Sequence, residues 1–186
     1  SHEAQPSTLV SQFGGTSRAL DSAANTSFLG VGPRLVTVDT STPASPAILG
    51  CTALLPALIE DVLVSGNTTL LAIGGSGVQI VDTALPASPA LLGAYDTDGT
   101  ATALALNGTR LYAADGDNGL VTLTVAVPTT PDLLDTDALP VPGFAYDLLL
   151  DGSTLFLAGG AAGVRSYSLT NPSNPALNAE AYVPLL

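Results

Sequence analysis

The chain has 186 residues, 46% of them hydrophobic and 11% charged, with no lysine and 16 acids against four arginines, for a net charge of -12. That much apolar residue supports an ordinary domain with its own core and argues against disorder. The acidic surface repels phosphate backbones and anionic lipid, and no run of 18 apolar residues occurs; nucleic-acid binding and a transmembrane helix are therefore not expected.

The chain opens on Ser1 rather than Met, so a removed leader or a longer N-terminal part is expected. With so few charges, the surface must be covered by Thr, Ser, Asn and Gly, as is common in secreted and cell-surface proteins, and an extracellular or cell-surface location is expected. Residues 6–13, with Leu9-Val10-Ser11-Gln12-Phe13, read as a strand standing before any repeat, an orphan over about 6–15.

Pro-x-x-Pro then occurs at Pro43/Pro46, Pro86/Pro89, Pro128/Pro131 and Pro172/Pro175, with spacings of 43, 42 and 44 residues. A period of that size marks a repeat array. Residues 1–186 read as one domain, with units of about 16–56, 57–100, 101–143 and 144–186 following the orphan strand.

The first unit carries Leu35-Val36-Thr37-Val38-Asp39 ahead of its prolines. Its Cys51 is the only cysteine, which excludes an internal disulfide. A small buried thiol in a strand is expected there, with an intermolecular bridge or a reactive thiol as the other reading.

The second unit is the most complete. Residues 59–65 and 69–73 read as strands separated by the turn Ser65-Gly66-Asn67, and Gly74-Gly75 stops the second. Residues 77–82 form a third, and 91–95 a fourth after the prolines. Four short strands in about 42 residues is the content of one antiparallel propeller blade. The third and fourth units keep the turn glycines, Gly108 and Gly152 matching Gly66, and the glycines that open the third strand, Gly119 and Gly163 matching Gly77; the first unit has Arg34 there.

Asp39, Asp82, Thr124 and Ser168 each stand four residues before the first proline of a pair. A side-chain oxygen there is expected to bond the backbone of the following turn. The prolines cannot donate to a ladder and belong in the connections; their periodicity favours a structural turn over an SH3-type ligand. Helical periodicity is not sustained anywhere. The expected fold is all-β, a β-propeller-type array of four four-stranded antiparallel blades plus one extra N-terminal strand.

The third strands Leu35-Val36-Thr37-Val38-Asp39, Val78-Gln79-Ile80-Val81-Asp82 and Leu120-Val121-Thr122-Leu123-Thr124, the prolines that follow, and Leu91-Leu92-Gly93-Ala94-Tyr95-Asp96 resemble the LVIVD repeat family. The resemblance is strongest in the second unit and weakest in the fourth, at Val164-Arg165-Ser166-Tyr167-Ser168. It implies a β-propeller in a bacterial or archaeal surface or secreted protein, and it carries no catalytic motif.

Three groups of residues are candidates for chemistry. Asp115, Asp117 and Asn118 supply closely spaced oxygens suited to Ca²⁺, without the full EF-hand spacing; the other reading is a polar hairpin. Asp21, Asp61 and Asp147 sit near the start of the first strand in three units, with Ala103 in the third. At the mouth of a central channel they would hold a cation or polar ligand with raised pKa values; alternatively they bond backbone at a strand start. Asn25, Asn67 and Asn107 open N-x-[ST] triplets placed in the turn after the first strand, sites for N-glycosylation in a secreted protein.

No cofactor is expected beyond Ca²⁺. His2 is the only histidine and Cys51 lacks a histidine partner, so an enzyme is not expected. The expected function is a structural or adhesive subunit that associates with itself or with other surface proteins, polymerising into filaments by exchange of its terminal strand. A ligand- or Ca²⁺-binding module of a larger surface protein is the alternative, and a hydrolase on a propeller scaffold the third.

Overall fold

The computed structural model describes residues 17–140 and 143–182. The proposed orphan strand over about 6–15 lies outside the described residues, as does His2. Blade 1 comprises β1 (Ser17–Ala23), β2 (Thr26–Val31), β3 (Arg34–Asp39) and β4 (Ala47–Cys51); blade 2, β5 (Asp61–Ser65), β6 (Thr68–Ala72), β7 (Val78–Asp82) and β8 (Ala90–Tyr95). Blade 3 comprises β9 (Ala103–Asn107), β10 (Arg110–Ala114), β11 (Leu120–Thr124) and β12 (Asp132–Asp137); blade 4, β13 (Asp147–Asp151), β14 (Thr154–Ala158), β15 (Val164–Ser168) and β16 (Ala176–Ala181). Each blade is a four-stranded antiparallel meander in chain order. The fold is all-β and propeller-like, and its one helical turn among the described residues is a short 3-10 segment, Gly160–Ala162.

Tight turns set this geometry. The first two strands of every blade are joined by two residues, the first at positive φ: Gly66, Gly108 and Gly152 in blades 2 to 4, and Ala24 in blade 1. That pattern matches the twist of a hairpin and ordinarily calls for glycine. At the start of the third strand, Gly77, Gly119 and Gly163 have positive φ, and a Cβ there would strike the backbone of the fourth strand's end. Blade 1 uses Arg34 at this place because its hairpin is shorter, only Gly32-Pro33 between Val31 and its partner Arg34.

The residues before the prolines cap the turns as their chemistry predicts. Asp39 Oδ1 accepts the Ser41 N–H at 2.8 Å and Asp82 Oδ1 the Ala84 N–H at 2.9 Å. The hydroxyls of Thr124 and Ser168 accept from Ala126 and Thr170 at 3.4 and 3.3 Å.

Consecutive blades pack face to face through three apolar clusters. Phe28 and Leu35 meet Val62, Leu71 and Val81 between blades 1 and 2. Leu70, Val78 and Ile80 meet Leu104, Leu111 and Leu123 between blades 2 and 3. Tyr112 and Leu120 meet Leu155, Leu157 and Tyr167 between blades 3 and 4. Among the described residues no cluster joins blade 4 back to blade 1. The four blades make an arc with their first strands innermost, not a closed ring.

Candidate functional site

Of the three first-strand carboxylates, Asp61 and Asp21 fasten one blade to the next. Asp61 Oδ1 accepts the N–H of Val62 and Oδ2 accepts the N–H of Leu104 on the first strand of blade 3, both at 2.8 Å. Asp21 likewise takes the Ser22 N–H at 2.7 Å and the Val64 N–H of blade 2 at 2.8 Å. Asp147 Oδ1 takes the Leu148 N–H at 2.9 Å. Burial raises the Asp61 pKa, the two N–H donors oppose it, and Asp147 and Asp21 add smaller repulsion. Register corrects one expectation. The strand pairings put Asp61, Ala103 and Asp147 at one position, whereas the blade 1 residue there is Ala19 and Asp21 lies two residues further on. Blade 1 carries Ala24 in place of the turn glycine that aligns the other copies.

Asp115 is fully buried. The Thr97 hydroxyl and the Asn118 amide donate to its carboxylate, the amide at 2.9 Å, and the Gly99 N–H adds a third bond. Asn118 also donates to the Thr97 carbonyl at 2.8 Å. Burial pushes the Asp115 carboxyl up and these donors pull against it. The segment is a latch between the loop entering blade 3 and the β10–β11 turn. Asp117 is exposed and, with Asp98 and Asn118, lines an open hollow of about 350 Å³. Asp115 is thus buried, while Asp117 and Asn118 border the hollow, and among the described residues no group of three or more His, Cys, Asp or Glu side chains is placed to hold a metal ion.

Asn25 and Asn67 are exposed at the second position of equivalent hairpin turns. Asn107 is different: it is the last residue of β9, partly buried, two positions earlier in the repeat. Cys51 is exposed at the end of β4, not buried as expected, because the fourth strand is the outermost of its blade.

The remaining feature was not read from the sequence. Among the described residues, each end of the arc leaves uncovered a face that is buried wherever two blades meet. On blade 1, Leu20 is 70% exposed, whereas Leu104 at the same position of blade 3 is 6% exposed. Leu20, Ser27, Leu29, Val38, Pro43 and Pro46 line a groove of about 270 Å³ on this face. On blade 4, Leu149 is 63% and Val164 45% exposed, while Val78 and Leu120, at Val164's position in blades 2 and 3, are buried. Phe156 is half-buried where Leu70 and Tyr112 are buried. The same apolar pattern serves covered and uncovered faces, so only its position in the series could have exposed the difference.

The comparisons agree with this architecture. Residues 59–97 and 98–136, which span the second and third blades, match the LVIVD repeat, in agreement with the resemblance seen in the sequence. The crystal structure of the computationally designed Ika4 protein superposes with a TM-score of 0.71 at 15% identity, covering 88% of this chain and 99% of Ika4. The computationally designed Ika8 protein superposes with a TM-score of 0.67 at 11% identity, covering 90% of this chain and 51% of Ika8. At such identities these likenesses show the fold alone. No curated protein matches the chain.

Proposed function

We propose that this chain, whose second and third blades match the LVIVD repeat, is a non-catalytic structural module of an extracellular or cell-surface assembly, working by self-association. The observation that carries the reading is the apolar face left uncovered, among the described residues, at both ends of the arc, Leu20 on one side and Leu149 and Val164 on the other. Surface of this kind between polar rims marks interaction sites. The acidic, lysine-free composition supports an extracellular setting, with Asn25 and Asn67 exposed to receive glycans.

Sedimentation of the purified chain over a range of concentrations tests this. Species heavier than one chain are expected; a strict monomer at high concentration would overturn the reading. Negative-stain micrographs separate rings from fibres. Strand exchange by residues 6–15 is one route to fibres, and deletion of residues 1–15 then abolishes them.

A further inference from the structure

We infer that the two uncovered faces are each other's partners: blade 4 of one copy docks on blade 1 of a second copy, head to tail, and two copies close an eight-bladed ring. This rests on the self-association proposed above and names its joint.

The argument is continuity with the joints inside the chain. In the joint between blades 2 and 3, Leu63 of blade 2 packs into the cluster that contains Leu104 of blade 3. Strand register puts Leu149 at the position of Leu63 and Leu20 at that of Leu104. The polar fastener has the same match. Asp61 Oδ2 receives the Leu104 N–H because Ala103, just before it, has no carboxylate of its own. Asp147 stands at the place of Asp61, and Ala19 at the place of Ala103. Leu20 pairs with Leu29 as Leu104 pairs with Ala113, so its N–H leaves β1 in the same direction. Docked on a second copy, Asp147 accepts that N–H while Leu149 covers Leu20. Phe156 and Val164 meet Leu29 and Val38 as Leu70 and Val78 meet Ala113 and Leu123.

Such a contact joins different surfaces and therefore forms a ring where its rotation closes. Propellers typically hold about four to eight blades. One four-bladed copy leaves an arc, a second brings the count to the top of that range, and a third exceeds it.

The test uses the whole chain, Leu20→Glu, Leu149→Glu and their equimolar mixture in sedimentation equilibrium. Both side chains are exposed in the single copy, so the variants keep the fold, checked by circular dichroism. The wild type is expected at the mass of two chains. Each variant puts a carboxylate into both joints and is expected to raise the dissociation constant by about 100-fold or more. The mixture retains one joint with both leucines, and two-chain species are expected to return at concentrations where either variant alone is monomeric. Pairing of like ends predicts instead that one variant stays associated and that mixing restores nothing. Association unaffected by either substitution also overturns the head-to-tail joint and passes the role to another surface, residues 1–15 included, while self-association stands. A wild type that is monomeric throughout, its faces covered by its own chain or awaiting a different protein, overturns both proposals.

Discussion

Tyr112, on the second strand of blade 3, donates its hydroxyl to the carbonyl oxygen of Pro172 in blade 4 at 2.9 Å. Thr37 of blade 1 donates in the same way to Pro86 of blade 2. Pro86 and Pro172 are each the first proline of a Pro-x-x-Pro pair, so the motif that reveals the repeat also forms part of the joint with the preceding blade. Loss of the Tyr112 bond in Tyr112→Phe is expected to cost about 0.5–1.5 kcal/mol, read as a lowered urea midpoint with an unchanged slope.

The approach of these loops explains two glycines. A Cβ on Gly50 would lie 2.5 Å from the Ala87 carbonyl oxygen, and one on Gly93 would strike the carbonyl of Pro128. Both obstacles are backbone of the next blade and cannot rotate aside. Gly93→Ala is expected to destabilise by about 1–3 kcal/mol, as overpacking does, measured by thermal or urea denaturation.

Ala24 holds a φ of 51° where the other blades have glycine, and it is exposed. A left-handed conformation costs a residue with a Cβ about 1–2 kcal/mol, partly offset by the entropy a glycine loses on folding. Ala24→Gly is expected to stabilise the chain by up to about 1 kcal/mol, seen as a raised urea midpoint.

Asp61 and Asp115 both have pKa values raised by burial above the ordinary 3.8. The stability they contribute is therefore full below that value and is lost as pH rises through their folded-state values. The advantage of the wild type over Asp61→Asn or Asp115→Asn is expected to grow between neutral pH and about pH 4, the reverse of ordinary acid denaturation. Urea midpoints of the three proteins across that range check the sign.

Arginine provides a further test of the joints. Arg165, buried in blade 4, reaches Asp137 of blade 3 at 3.3 Å and Glu180 of its own blade at 2.5 Å. Arg165→Met keeps much of the packing but leaves the Tyr167 hydroxyl without its guanidinium neighbour. Those carboxylates are partly exposed and can be solvated, so the loss is expected to be moderate, about 1–2 kcal/mol, and visible as a lower melting temperature.

The repeat and its local chemistry were legible in the sequence because they depend on neighbours only a few residues apart. Gly66 announces a hairpin, Asp82 caps its own turn, and Val78 to Asp82 reads as a strand. Residues 42 or 43 positions apart meet across blade joints, as Arg18 meets Glu60 and Asp21 meets Val64, and composition alone did not reveal those meetings: Asp21 looks equivalent to Asp61 but lies two residues out of register, and Asp115 is buried and bonded by Thr97, Gly99 and Asn118. Leu20 and Leu104 occupy the same position and read alike as letters. Tertiary structure alone decided that one is buried against a preceding blade and the other stands uncovered, because burial depends on what lies across the joint and not on the strand that carries the side chain.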